Sequence, residues 1–229
     1  MSLYAIADLH LSFKVNKPMD IFGDVWVDYE NKIKKNWIDK ITDEDLVLIP
    51  GDISWAMKTE DAIIDLDFID SLPGKKLLIK GNHDYWWNSV NKLNDKYVNM
   101  TFMQNDFYVY EDYAICGSRG WLCPNEVKFD DNDDKLYKRE VRRIEASITK
   151  AINAGYNKII IIMHYPPTND RKEESEFIKL FREYNVEKVI YGHLHTKQSF
   201  NSSLIGMHDG IEYILSSADY IDFNPINIL

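Results

Sequence analysis

The chain has 229 residues, 45% of them hydrophobic and 28% charged, with a formal net charge of -10. That length suits a single domain over 1–229 with a substantial core, and the composition excludes disordered and fibrous classes. The acidic balance works against general binding to nucleic acid or to an anionic membrane, but not against a small anion held by metal ions.

In chain order, Leu3 to Ala7, Leu46 to Ile49, Lys76 to Ile79, Ala114 to Cys116, Ile159 to Met163, Val186 to Tyr191 and Tyr213 to Leu215 are short aliphatic runs closed by polar or glycine-containing turns, and they predict buried strands. Between them, Tyr29 to Ile41, Thr59 to Leu72, Trp86 to Asp95, Leu136 to Ala154 and Ser175 to Tyr184 have helical spacing. Thr59 and Ser175 suit helix starts, Gly155 suits a helix end, and the acidic run from Asp130 to Asp134 predicts Asp133 or Asp134 as the cap of the long helix. Alternating strands and helices predict an α/β layered domain. Met100 to Trp121 has β-type stretches with no helix between them, which predicts neighbouring antiparallel strands.

The two cysteines, Cys116 and Cys123, make no zinc motif and are expected as free thiols. The longest apolar run, Ile159 to Met163, is far too short to span a bilayer, and the first residues carry no export signal. A cytoplasmic protein with no membrane partner is expected.

Five of the six histidines fall immediately after predicted strands. Asp8-Leu9-His10 follows the first strand, Gly51-Asp52 the second and Gly81-Asn82-His83-Asp84 the third. His164 ends the Ile159 strand, and Gly192-His193-Leu194-His195 ends the Val186 strand. Ligands of α/β sheets gather outside the carboxyl ends of strands, so these loops are expected at one rim. Oxygen and imidazole donors without thiolates suit Mn, Fe, Ni, Co or Zn, with Mn the metal expected to support activity. There are donors enough for two divalent ions. With Asp52 as a bridge, one ion can take Asp8, His10 and His195, and the other Asn82, His164 and His193. The two histidines of Gly192-His193-Leu194-His195 alternate in direction, which would send them to different ions.

This set of motifs resembles the calcineurin-like metallophosphoesterase family, and the resemblance runs from residue 8 to residue 195. It implies a four-layer α/β/β/α sandwich with two mixed sheets and a dimetal site at a sheet edge. It also implies that His83 is no ligand but assists the leaving group. The expected chemistry is hydrolysis of phosphate mono- or diesters: two metals bind the phosphoryl oxygens, a hydroxide held between them attacks phosphorus, and protonated His83 donates to the departing alkoxide. Asp84, next in sequence, is a candidate to orient His83.

Relatives in the protein phosphatase branch carry Tyr-Val-Asp-Arg-Gly after the bridging aspartate. Here Ile53-Ser54-Trp55-Ala56 follows Asp52, which argues against a protein phosphatase. Trp55, Trp86, Trp87 and Trp121 lie near the motifs and could form an aromatic wall; Trp55 and Trp121, together with Arg119, are the candidate substrate contacts. The expected partner is a small-molecule phosphate ester. A nuclease is the alternative, disfavoured by the acidic charge and the lack of a basic tract. A non-catalytic scaffold is disfavoured by the completeness of the ligand set.

Overall fold

The computed structural model describes residues 1–125 and 129–229. They form two compact units, one of residues 1–102 with 216–229 and one of residues 103–215. The first unit begins with β1 (Leu3–Ala5), α1 (Tyr29–Lys40), β2 (Leu46–Ile49), α2 (Thr59–Ser71), β3 (Lys75–Leu78), α3 (Val90–Lys96) and β4 (Met100–Phe102). The second holds β5 (Phe107–Tyr110), β6 (Tyr113–Ser118), α4 (Asp131–Asn153), β7 (Lys158–Met163), α5 (Glu176–Glu183), β8 (Lys188–Tyr191), α6 (Lys197–Ser202), β9 (Gly206–His208) and β10 (Ile211–Leu215). The chain then returns to the first unit for β11 (Ile226–Asn227). No helix among the described residues is long and apolar enough to cross a membrane.

Each unit is built on one mixed sheet. In the first, β1 to β4 run parallel in their sequence order, with β11 antiparallel on the β1 edge. A parallel sheet that grows in one direction puts its crossover helices on one face. Accordingly Ile33 and Trp37 of α1, Leu66 and Ile69 of α2 and Leu93 of α3 share one core with Val47, Ile49 and Leu78 of the strands. In the second unit β6, β7, β8 and β10 are parallel, with β5 and β9 antiparallel at the two edges. Ile144 and Ile148 of α4 and Phe177 and Phe181 of α5 pack on Ile159, Ile161 and Val189. The run Lys158–Met163 is buried at all but its first residue, as a central parallel strand requires.

Parallel neighbours matter for function because their carboxyl ends lie along the same edge of a sheet. The loops that follow β1, β2 and β3 therefore leave one edge of the first sheet, and those that follow β6, β7 and β8 leave one edge of the second.

The structure departs from the sequence reading at several points; α4, for example, starts at Asp131 rather than Leu136. The third helix begins at Val90, not Trp86, because Trp86 and Trp87 are buried in the turn that precedes it. The Met100 to Trp121 stretch divides: β4 pairs parallel with β3 in the first sheet, and only β5 and β6 form the antiparallel pair. The cap of α4 is Asp130. Its carboxylate accepts from the N–H groups of Asn132 and Asp133, and Asp133 answers by accepting from the Asp130 N–H. In a run of acidic residues, only the last one with an extended backbone can cap, and Asp130 is that residue. Asp130→Ala should therefore cost about 1 kcal/mol of stability. Asp134→Ala, which removes only an exposed pair with Lys138, should cost less than about 0.5 kcal/mol. Urea unfolding of both variants checks the ranking.

Candidate functional site

In the first unit the β1–β2 ladder continues beyond both strands. The N–H groups of Asp8, His10 and Leu11 donate to the carbonyls of Gly51, Asp52 and Ile53, each at 3.0 Å. The loops stay in register although Asp8 (φ 59°), His10 (φ 46°) and Asp52 (φ 52°) all sit in the left-handed region. L-residues avoid that region, and its occupation at three neighbouring polar residues is the kind of strain that accumulates at functional sites. The twists turn side chains that would otherwise alternate across the sheet. All three are buried, and His10 Nε2 stands 3.8 Å from an Asp52 carboxylate oxygen.

Neighbouring groups hold this arrangement. The Tyr29 hydroxyl donates to the His10 carbonyl at 2.7 Å. The Asp52 carboxylate accepts from the His83 N–H at 2.8 Å. Gly81 lies so close to Asp52 that a Cβ there would fall 2.1 Å from both the Asp52 nitrogen and its Oδ1, so no other residue fits. Asn82 and His83 follow, half-buried.

Asp84 does not orient His83, contrary to the expectation from its place in the sequence. It is fully buried, and its oxygens accept from four donors: the N–H groups of Ile53 (2.9 Å), Ser54 (3.2 Å) and Gly81 (2.8 Å), and the Trp86 indole (3.0 Å). Four donors fill a carboxylate's capacity. Burial and, after it, the Asp52 charge raise its pKa, while the backbone N–H groups lower it. Asp84 thus ties the loop after β2 to the loop after β3.

The aromatic wall also resolves differently for its members. Trp86 and Trp87 are buried core residues. Trp55 is half-buried and stacks on His10 at 4.8 Å with the planes 20° apart, and the same ring lies 4.4 Å from His83. Its indole N–H points at the Met19 sulfur, 3.1 Å away. Trp55 is therefore placed to orient two histidines rather than to stand open for a nucleobase. Asp65 and Tyr29 escaped the sequence reading. Asp65 accepts from the Ser54 hydroxyl and from the Phe13 N–H, joining the loops after β1 and β2 to α2, but a single aspartate inside an amphipathic helix gives no sign of that.

In the second unit, the Arg119 carbonyl after β6 accepts from the N–H groups of both His164 and Tyr165, and the His164 carbonyl accepts from Gly192 after β8. These bonds set the loops of three adjacent strands side by side. His164 is fully buried, and its Nε2 stands 3.2 Å from Nδ1 of His193, which again has a left-handed backbone (φ 74°). Two nitrogens bound to one ion at about 2.1 Å stand roughly 3.0–3.4 Å apart, so this pair suits a shared cation. His195 lies two residues on, half-buried. The Tyr165 ring, 4.2 Å from that of His193, supports it from the side. The metal-capable side chains are thus Asp8, His10 and Asp52 in the first unit and His164, His193 and His195 in the second.

Arg119 lies over Trp121, its guanidinium carbon 4.5 Å from the ring centroid. Trp121 is fixed by its indole N–H to Asp133 at 3.0 Å and by Tyr165 at 5.2 Å. No hydrogen bond or ion pair joins the Arg119 side chain to another described residue. Burial, partly opposed by the Glu140 charge, lowers its pKa, yet a guanidinium of this kind stays protonated. Cys116 and Cys123 are buried free thiols, each pushed up to about 12 by burial, and so are chemically inert.

Comparison with known proteins agrees with this geometry. The model of the calcineurin-like phosphoesterase family matches residues 1–197. No curated protein matches the chain. Among solved structures, phosphopantetheinyl hydrolase of Mycobacterium tuberculosis is similar at a TM-score of 0.59 and 15% identity, covering 100% of this chain and 95% of its own. A protein of unknown function from Aquifex aeolicus is similar at a TM-score of 0.53 and 17% identity, covering 99% and 95%. Sulfate thiohydrolase of Thermus thermophilus gives a TM-score of 0.50 at 11% identity, covering 95% of this chain and 52% of that one. At these identities the structures speak for the fold alone. The family match covers most of the chain, and two mixed sheets with flanking helices agree with it. The chain belongs to the calcineurin-like phosphoesterase family, whose members depend on two metals, and it is a metal-dependent hydrolase.

The scaffold role of Asp84 has a measurable consequence. Asp84→Ala would strand four buried N–H groups, three of the backbone and the Trp86 indole, each costing about 1–3 kcal/mol. Unfolding stability should fall by about 3 kcal/mol or more, with loss of bound metal. Were Asp84 only a partner of His83, stability and metal content would stay at the wild-type level.

Proposed function

We propose that the protein hydrolyses phosphate mono- or diesters of small molecules, using both sets of metal-capable residues on two divalent ions. The observation that carries this reading is the pair of imidazole nitrogens of His164 and His193, 3.2 Å apart at the ends of adjacent parallel strands, a spacing that fits a common cation. In this reading Asp8, His10 and His195 would hold one ion, Asn82, His164 and His193 would hold the other, and Asp52 would serve both. Mn is the metal proposed to support activity. When bound, such ions supply a nucleophile from water at neutral pH and neutralise charge on the phosphoryl group.

The remaining roles fall to side chains of this chain. His83 assists departure of the leaving group, with its ring direction set by Trp55 and its backbone by Asp52. Arg119, over the Trp121 ring and without a hydrogen bond or ion pair to another described residue, offers its donors to a phosphoryl oxygen. Trp121 contributes as the platform beneath it. Trp55, engaged with His10 and His83, acts as a positioning residue. The buried, unpaired thiols agree with action in the cytoplasm.

Chelated protein should be inactive, and Mn should restore hydrolysis of an aryl phosphodiester or monoester. Metal analysis should find about two ions per chain. Asp52→Ala should lose both, whereas His10→Ala should weaken mainly one; a full complement in Asp52→Ala removes the bridge. For His83, the contrast between leaving groups is the test. His83→Asn should retain its metals and lose about a hundred- to ten-thousand-fold in turnover of an alkyl ester, the range of one positioned acid. The loss should be much smaller for a nitrophenyl ester, whose leaving group departs unaided. Equal losses on both substrates would remove His83 as the acid.

A further inference from the structure

The metal-capable edge of the second unit opens on one side into a cleft of about 360 Å³. Leu122, Cys123, Pro166, Thr168 and Leu194 are among its lining residues, and so is His193. This size lies within the range of small-molecule sites, which are mostly apolar with a few polar groups. Nothing in the roles assigned so far uses it.

The chemistry of the walls limits what can enter. The Cys123 thiol stays protonated, since burial pushes it up to about 12. Thr168 is buried, and its hydroxyl has no hydrogen-bond partner among the described residues; with the Asn125 and Asn169 amides it gives the lining neutral polar groups that suit an uncharged arm. The charged residues of the lining, Asp170 and Arg171, are exposed and opposite in sign, and Arg171 also stands 4.0 Å from Glu173. No uncompensated positive charge is therefore offered to a second phosphate. A polyphosphate arm would enter without a counter-charge, whereas an alkyl or amide-bearing arm would bury apolar surface.

We propose that this cleft is the subsite for a neutral, largely apolar arm of the phosphate ester, leading away from the phosphoryl group at His193. The inference rests on the phosphoesterase reading above and adds to it the class of substrate: an ester of an elongated uncharged alcohol rather than a nucleoside polyphosphate. One buried methylene is worth about a fourfold gain in affinity, so the length of the arm should be read directly in binding.

Two measurements on the Mn-loaded protein separate the two claims. The first is calorimetric binding of methyl-, butyl- and octylphosphonate, which needs no turnover. The second is hydrolysis of methyl, butyl and octyl p-nitrophenyl phosphodiesters, in which the leaving group is constant. Butylphosphonate should bind roughly ten- to sixty-fold tighter than the methyl compound, and KM should fall in parallel at near-constant kcat. A terminal carboxylate on the chain should cancel the gain. In Leu122→Trp, and in the milder Leu122→Phe, the ratio of butyl to methyl affinity should drop towards one. Tighter binding of longer phosphonates without turnover of any ester would keep the cleft and overturn the phosphoesterase reading. Turnover with no dependence on arm length, or a length dependence unchanged in both Leu122 variants, would overturn the cleft.

Discussion

A single buried carboxylate governs the active edge of the first unit. Asp84 spends its acceptor capacity on the backbone of Ile53, Ser54 and Gly81 and on the indole of Trp86. Those bonds span two loops, and the same loops carry Asp52, Asn82 and His83. The Asp52 side chain in turn accepts from the backbone of His83, while Gly81 presses against Asp52 with no room for a Cβ. The position of the proposed bridging ligand is thus fixed by contacts at Asp52 itself and at the residues beside the proposed ligands in the chain. A group that never touches the substrate sets the geometry on which the proposed chemistry depends.

The same region shows how the fold supports strain. Asp8, His10, Asp52 and, in the second unit, His193 all adopt left-handed backbones, at about 1 kcal/mol or more apiece. Each is held by bonds that a relaxed loop would lack. His10 is pinned by the Tyr29 hydroxyl and by the rung to Asp52, and His193 sits against Tyr165 and His164. The Asp65 carboxylate anchors the loops after β1 and β2 to α2 through the Phe13 N–H and the Ser54 hydroxyl. Two mixed sheets with well-packed helices provide the stability against which such local costs are small.

What was legible in the sequence follows from this division. Central parallel strands must be aliphatic along their whole length, so β2 and β7 announce themselves, and residues of ligand type at their carboxyl ends stand out against them. The helix starting at Val90 was misjudged because Trp86, Trp87 and Val90 satisfy helical spacing while serving the core from a turn. The cap of α4 was misjudged because an acidic run offers several equal candidates and only the backbone angle at Asp130 decides among them. The tryptophans near the motifs look alike in sequence, yet two are core residues, one orients histidines and one carries an arginine. Asp84 sat next to the histidine it was expected to serve. Its actual partners lie in a loop some thirty residues away, a pairing to which local sequence is blind.

The net charge of -10 accords with the proposed action on a small phosphate ester. Several of its surface cations are matched by nearby carboxylates: Lys14 with Asp61, Lys35 with Asp39, Lys158 with Asp112 and Lys138 with Asp134. Such pairs add little stability, but each sets a negative charge beside a cation that a polyanion would seek. At physiological ionic strength charges act over only about 8 Å, so repulsion by the distant acidic surface falls on a long polyanion far more than on a single phosphoryl group. In the proposed reading attraction comes from the metal ions and from Arg119, which lies over Trp121 and whose side chain has no hydrogen bond or ion pair to another described residue. A nucleic acid would have to pass the acidic surface along its length, whereas a small ester needs favourable charge only at one point. The proposed preference for small substrates thus draws on the overall charge as much as on the residues that bind.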